Sequence, residues 1–230
     1  MTEAQEPIIV DFPLRGQWVA PHTPGDKVPS HGSNQLGQRY AYDFMHADDM
    51  RVVEKAGKKS LSFSWRYLIF GQPLAGWTSW GQPVYAPADG TVVAAVDSMK
   101  ERRYLHLISD MAVVLKNALF VKEETPFQKF LGNYIIMQID GAYALFAHLQ
   151  SNSVQVATGQ KVKAGDTIAG VGHSGNSTAP HLHFHLMDSP DIWTAQGIPC
   201  AFARYEVFDG STWAQQHNAI PVSTDIVRVD

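Results

Sequence analysis

The amino-acid sequence predicts a mainly β protein built on an antiparallel sheet. Three observations carry that expectation. From Pro180 to Met187 the residues alternate, with His181, His183, His185 and Met187 on one side and Leu182, Phe184 and Leu186 on the other. Asp140-Gly141 separates the apolar runs Tyr134 to Ile139 and Ala142 to Leu149, and Asp-Gly supplies the positive φ values of a tight hairpin. The 18 glycines and the 11% aromatic share suit a turn-rich β fold.

In chain order, residues 8–20 read as one or two short strands. Residues 21–39, rich in Pro, Gly, Ser, Asn and Gln, read as an irregular loop. The loop leads into Tyr40 to Phe44, which alternates again and places Asp43 among aromatics. An acid there needs a partner, and His31 is a candidate. Residues 45–81 are expected to form a long excursion with little regular structure. Its aromatics (Phe63, Tyr67, Phe70, Trp77 and Trp80 among them) either pack as a covering flap or wall a groove. Gly81 to Val96 reads as strand, turn at Asp89-Gly90, and strand. Residues 97–131 form an insertion in which Met111 to Phe120 is a helix or a buried strand. Val156 to Ile168 is a β-turn-β pattern, and Gly172 to Pro180 is a polar loop feeding the histidine strand. Residues 188–230 read as a tail of short strands and turns.

A 230-residue chain with 45% hydrophobic and 17% charged residues can bury a sizeable core, and residues 1–230 are read as a single domain. A net charge of −4 gives no electrostatic case for nucleic acid. No run of about 18 apolar residues suggests a membrane span. Cys200 is the lone cysteine, so no disulfide framework exists; it is expected to be a small buried hydrophobe. No signal-peptide pattern opens the chain, so the expected location is the cytoplasm, or the cell envelope if a leader was removed.

Three alternating histidines on one strand face are poorly explained as core residues, because each needs a buried polar partner. A catalytic zinc site needs three protein ligands from His, Asp or Glu and an open position for water, plus a group that moves protons. His31, Asp43, His148 and the row His181, His183, His185 offer those types; spacing alone does not say which histidine of the row would bind metal.

Gly81 to Val96, Gly132-Asn133-Tyr134, Phe146 to Leu149, Gly159 to Gly172 and Ser174 to Phe184 together resemble the M23 metallopeptidases, the lysostaphin or LytM-type endopeptidases. The likeness spans roughly residues 31–187, the expected core, and implies an antiparallel β-sheet or sandwich crossed by a substrate groove. It implies Zn²⁺ held by His31, Asp43 and His183, with His148 and His181 as the two catalytic histidines that are not ligands. It also implies hydrolysis of peptide cross-links in bacterial cell walls, with peptide as the partner. Asn133, Tyr134, Ser174, Asn176 and Thr178 are the candidate substrate contacts.

The chain departs from the family pattern in two places. Eleven residues, Gly32 to Tyr42, separate His31 from Asp43, where the family's spacing is three; His22 and His46 are the fallback ligands. His185 stands where the family often has an acid, and is read as supporting the site or exposed rather than ligating. His106, His173 and His217 are read as surface or loop residues. The alternatives are a catalytically silent M23-like module that binds a peptide or partner, and a biotinyl- or lipoyl-type carrier. The carrier reading is weak because the only Met-Lys pair, Met99-Lys100, lies far upstream of the carrier-like turns.

Overall fold

The computed structural model describes residues 6–55, 58–63, 65–119 and 127–230. Residues 1–5 and 120–126, which include the predicted Phe120 end of an element, lie outside the described residues.

The chain opens with β1 (Ile8–Val10) and β2 (Gly16–His22), passes through an irregular stretch with a 3₁₀ turn at Gln35–Tyr40, and enters β3 (Tyr42–His46). An excursion follows: β4 (Arg51–Lys55), β5 (Lys58–Ser62), α1 (Trp65–Phe70), β6 (Gln72–Pro73) and a second 3₁₀ turn, Leu74–Gly76. Then come β7 (Pro83–Tyr85), β8 (Gly90–Val96), β9 (Tyr104–Leu105), α2 (Leu107–Leu119) and α3 (Gln128–Leu131). The remaining strands are β10 (Asn133–Ile139), β11 (Ala142–Leu149), β12 (Lys161–Val162), β13 (Thr167–Gly170), β14 (Leu182–Met187), β15 (Gly197–Ile198), β16 (Cys200–Phe208), β17 (Trp213–Ala219) and β18 (Val227–Val229).

One twelve-stranded sheet organises the described residues, in the order β1-β16-β18-β2-β3-β14-β11-β10-β8-β12, with β15 on β14 and β17 on β16. The β10–β11 hairpin turns at Asp140-Gly141 as predicted, with Gly141 at φ +74°. The histidine strand β14 lies in the middle, between β3 and β11. Its Leu182, Phe184 and Leu186 are fully buried in the main core beside Phe12, Phe44, Phe146 and Phe202. Burial of each such side chain contributes about 1.5–3 kcal/mol. The opposite face is not open along its whole length. Gly37, in the 3₁₀ turn with φ +70°, lies so close that a Cβ there would come within 3.0 Å of Met187 Cβ and 3.3 Å of His185 Nε2. This turn covers the far end of the histidine row and leaves the near end accessible.

Several expectations are corrected. Residues 45–81 are more regular than predicted: β4 pairs with β5, and α1 and β6 follow. Their aromatics form a flap with its own core, in which Tyr67, Leu74 and Trp77 pack on Val19, Met45 and Leu105. The element predicted within 97–131 is a 13-residue helix, α2. It has no Gly or Pro and carries three Leu and two Ala, so propensity favours the helix that periodicity left open. Strands β7 and β8 do not pair with each other; β7 pairs with β13, and β8 with β10 and β12. Residues 188–230 are no tail, because β16 and β18 complete the sheet beside β1 and β2.

Candidate metal centre and peptidase cleft

Pairing register puts three polar side chains on one rung of the sheet. Across β2, β3 and β14, His22 is opposite Asp43 and Asp43 is opposite His183. Tyr42 and Phe44, the neighbours of Asp43, point into the core, so strand alternation sends the carboxylate to the other face. The irregular stretch after β2 then brings His31 over the same carboxylate.

Asp43 is thereby ringed by imidazoles. Its Oδ2 lies 2.9 Å from His22 Nδ1 and 3.0 Å from His31 Nε2. Its Oδ1 lies 2.8 Å from His183 Nδ1 and 3.5 Å from His181 Nε2. Burial alone would raise the pKa of Asp43, but His31 and His181, with hydrogen bonds from His183 and His22, hold it well below the usual carboxylate range. Asp43 is an anion at neutral pH.

His148 arrives by a different device. Alternation along β11 would point it to the core side with Ala144 and Phe146. Its backbone is instead left-handed, at φ +60°, an uncommon state for a residue with a side chain. The chain changes phase there, and the His148 ring comes to 4.7 Å from His181 and 5.9 Å from His183, centroid to centroid.

Hydrogen bonds set the tautomers of both these histidines. His148 Nδ1 is 2.9 Å from the Ser174 carbonyl, and His181 Nδ1 is 2.8 Å from the Ala179 carbonyl. A carbonyl only accepts, so each Nδ1 carries a proton, and in a neutral ring the lone pair is then on Nε2. Burial, then the neighbouring His181 and His183, push the pKa of His148 well below the ordinary histidine value, so it is neutral.

A zinc ion fits this donor set. Zn–N and Zn–O bonds of about 2.0–2.2 Å in a tetrahedron separate ligand atoms by roughly 3.3 Å. His31 approaches Asp43 Oδ2 at 3.0 Å and His183 approaches Oδ1 at 2.8 Å, each within about half an ångström of that value. The ring of His183 is also braced from behind, since its Nε2 lies 3.1 Å from His185 Nδ1. Metal-binding imidazoles characteristically give their outer N–H to such a partner. His185 is fully buried, with its Nε2 against the Leu36–Gly37 turn, so the exposed alternative does not hold.

The structure sorts the remaining predicted residues. His46, a fallback ligand, is outside the cluster: it stacks edge-on against Trp18 and sits 3.6 Å from Asp48. His22, the other fallback, is inside it. Asn176 and Thr178 line the cleft, a cavity of about 360 Å³ whose lining also includes Leu36, Gln38, Phe130 and Leu131. Asn133 and Ser174 have structural roles instead. Buried Asn133 bonds to the Met99 backbone and to the Leu149 carbonyl, and Ser174 Oγ bridges Leu149 O and Asn133 N. Tyr134 does not line the cleft. Gly132 and Gly175, both at positive φ, meet backbone to backbone below this loop, where any Cβ would collide.

His173, read as a surface or loop residue, lies in a loop but is buried. Arg102 Nη2 lies 2.8 Å from His173 Nε2, and guanidinium groups only donate, so that nitrogen accepts. His173 Nδ1–H then donates to Ser177 Oγ at 3.0 Å, and Ser177 donates to the Ala179 carbonyl that also receives His181. Arg102 is paired in turn with Asp110 of α2, Nε to Oδ1 3.0 Å. The insertion is thus tied, group by group, to the carbonyl that orients His181. No motif announces this chain of contacts, because Arg102, which anchors it, lies 71 residues before His173.

Known proteins match this chain as follows. The model of peptidase family M23 matches residues 76–191. That interval holds His148, His181, His183 and His185; His22, His31 and Asp43 precede it and are joined to it by the β3–β14 pairing. The peptidoglycan DD-endopeptidase ShyC of Vibrio cholerae is 37% identical over 68 residues, 29% of this chain and 15% of that protein. ShyA of the same organism is 36% identical over 58 residues, 25% and 13% of the two chains. These matches therefore span only about one seventh of the length of the curated relatives. Among solved structures, the catalytic domain of the antimicrobial peptidase lysostaphin from Staphylococcus simulans aligns at 25% identity and a TM-score of 0.35, covering 63% of this chain and 80% of that one. The family match takes in half of the 230 residues and the strand that carries the histidine row, and on that ground the chain belongs to peptidase family M23.

Proposed function

We propose that the chain is a zinc-dependent endopeptidase that hydrolyses peptide bonds in bacterial cell-wall cross-links. One observation carries the proposal: a carboxylate held anionic among imidazoles, with two further imidazole lone pairs facing the same cleft. His31, Asp43 and His183 would hold the ion. Zinc, when bound, supplies Lewis acidity and lowers the pKa of its water from about 15.7 to near 7.

The protein's own groups do the rest. Of His148 and His181, one accepts a proton at Nε2 as general base. The other, once protonated, stabilises negative charge developing on the scissile carbonyl oxygen. Each Nδ1–H stays on its backbone carbonyl, so neither ring has to reorient. Leu36, Phe130, Asn176 and Thr178 line the cleft and confine the peptide chain in it. Cell-wall peptide as the substrate draws support from the printed activity of the Vibrio relatives, peptidoglycan DD-endopeptidases.

The test uses the full chain with purified cross-linked peptidoglycan fragments, products being read by mass spectrometry and zinc by elemental analysis. The expected result is one zinc per chain and cleaved cross-links, with both lost in Asp43→Ala and cleavage alone lost in His181→Ala. A wild type without stoichiometric zinc defeats the reading. Zinc and peptide binding with no cleavage under any condition would establish the silent module instead.

A further inference from the structure

We infer that His22 is a fourth protein donor to the same metal centre, able to take the coordination position otherwise left for water. This rests on the zinc reading above. The first support is the sheet: His22, Asp43 and His183 occupy one rung of three neighbouring strands, so the fold presents His22 to the site as directly as it presents His183. The second is distance. His22 Nδ1 and His31 Nε2 approach the same carboxylate oxygen at 2.9 and 3.0 Å, and the donor atoms of His22, His31 and Asp43 all lie within 4.8 Å of one another. The His22 and His31 rings are 5.1 Å apart, close to the 5.0 Å between His31 and His183.

The third support is exposure. The side chain of His22 is 55% exposed, against 16% for His31 and 8% for His183. It sits at the very end of β2, where the register with β3 shifts between Val19 and His22. His31 and His183 are held by their surroundings, whereas His22 has open solvent to move into. A zinc ion with four protein ligands is closed, and one with three keeps a position for water. The centre therefore has two states: one closed by His22, and one opened when His22 swings outward and an incoming peptide fills the cleft.

The experiment measures metal directly on the full chain. Zinc affinity is determined by chelator competition, and Co²⁺-substituted protein is followed by its visible absorption, for wild type, His22→Gln, His22→Ala, His31→Ala, Asp43→Ala and His183→Ala. Circular dichroism checks that each variant folds, and the two His22 variants guard against a fault peculiar to one of them. The expected result is that both His22 variants weaken zinc binding at least tenfold and change the cobalt spectrum, while Asp43→Ala and His183→Ala lose stoichiometric metal. Unchanged affinity and spectrum in both His22 variants, with metal still lost in Asp43→Ala and His183→Ala, overturns the inference and leaves the proposed function standing. Loss of metal in the His22 variants with none in His31→Ala also overturns it, because His22 would then replace His31 as the third ligand. A wild type that binds no zinc removes both readings.

Discussion

His173 makes the stability of this protein acid-sensitive in a way that one substitution isolates. Burial, followed by the Arg102 guanidinium and His181, depresses its pKa from 6.5 to about 3. Protonation would place an N–H where Arg102 already donates, 2.8 Å away. The unfolded chain has no such constraint and takes up a proton near pH 6.5. Stability from a neutral buried His173 is therefore fully present above about pH 6.5 and falls as pH drops toward 3, because in that window the unfolded state binds the extra proton. At pH 4 the loss attributable to this residue is roughly 3 kcal/mol. Urea unfolding of wild type and His173→Gln at pH 7 and pH 4 measures it, with free energies extrapolated to zero denaturant. Other buried histidines and any metal release act on both proteins and cancel in the comparison. Wild type should lose about 3 kcal/mol more than the variant between the two pH values. If both lose the same amount, His173 is not held neutral by its surroundings and the reasoning is wrong.

Other outcomes follow from packing and backbone geometry. Phe184→Ala, which empties the centre of the main core, should cost about 3–5 kcal/mol in thermal or urea unfolding. At His148 the left-handed backbone should make His148→Val less stable than His148→Asn by about 1–2 kcal/mol, while both abolish peptide cleavage. Cys200, fully buried with its thiol pushed up to about 12, should resist a thiol-reactive dye in the native protein and react at once in denaturant.

The parts of this fold that could be read from sequence are those where neighbouring residues decide the outcome. Alternation through Leu182, Phe184 and Leu186 located the core face of β14, and Asp140-Gly141 located its supporting hairpin. The need of Asp43 for a partner pointed to His31. The parts that were hidden depend on distant contacts. His22 joins the site because β2 pairs with β3 across a 19-residue connection, Thr23 to Ala41, and no local pattern records that pairing. His148 reaches the cleft through a backbone state that its neighbours in sequence do not betray. His173 is buried by Arg102 and Ser177, which lie 71 residues before it and four after it. The excursion at 45–81 looked irregular because its short elements are stabilised by packing on Val19, Met45 and Leu105 rather than by any strong period of their own.

The rung that joins Asp43 to His183 spans 140 residues of sequence. Contacts of that separation close late in folding, because loop-closure entropy must be overcome before they contribute. The β10–β11 hairpin closes over two residues and can form early, yet it contributes only His148. Donor atoms from β3 and β14 come together only when the sheet has joined across its middle. On the proposed zinc-peptidase reading, a half-folded chain, with its own segments exposed to any protease, would hold no complete metal site, and cleavage would arise only together with the finished sheet.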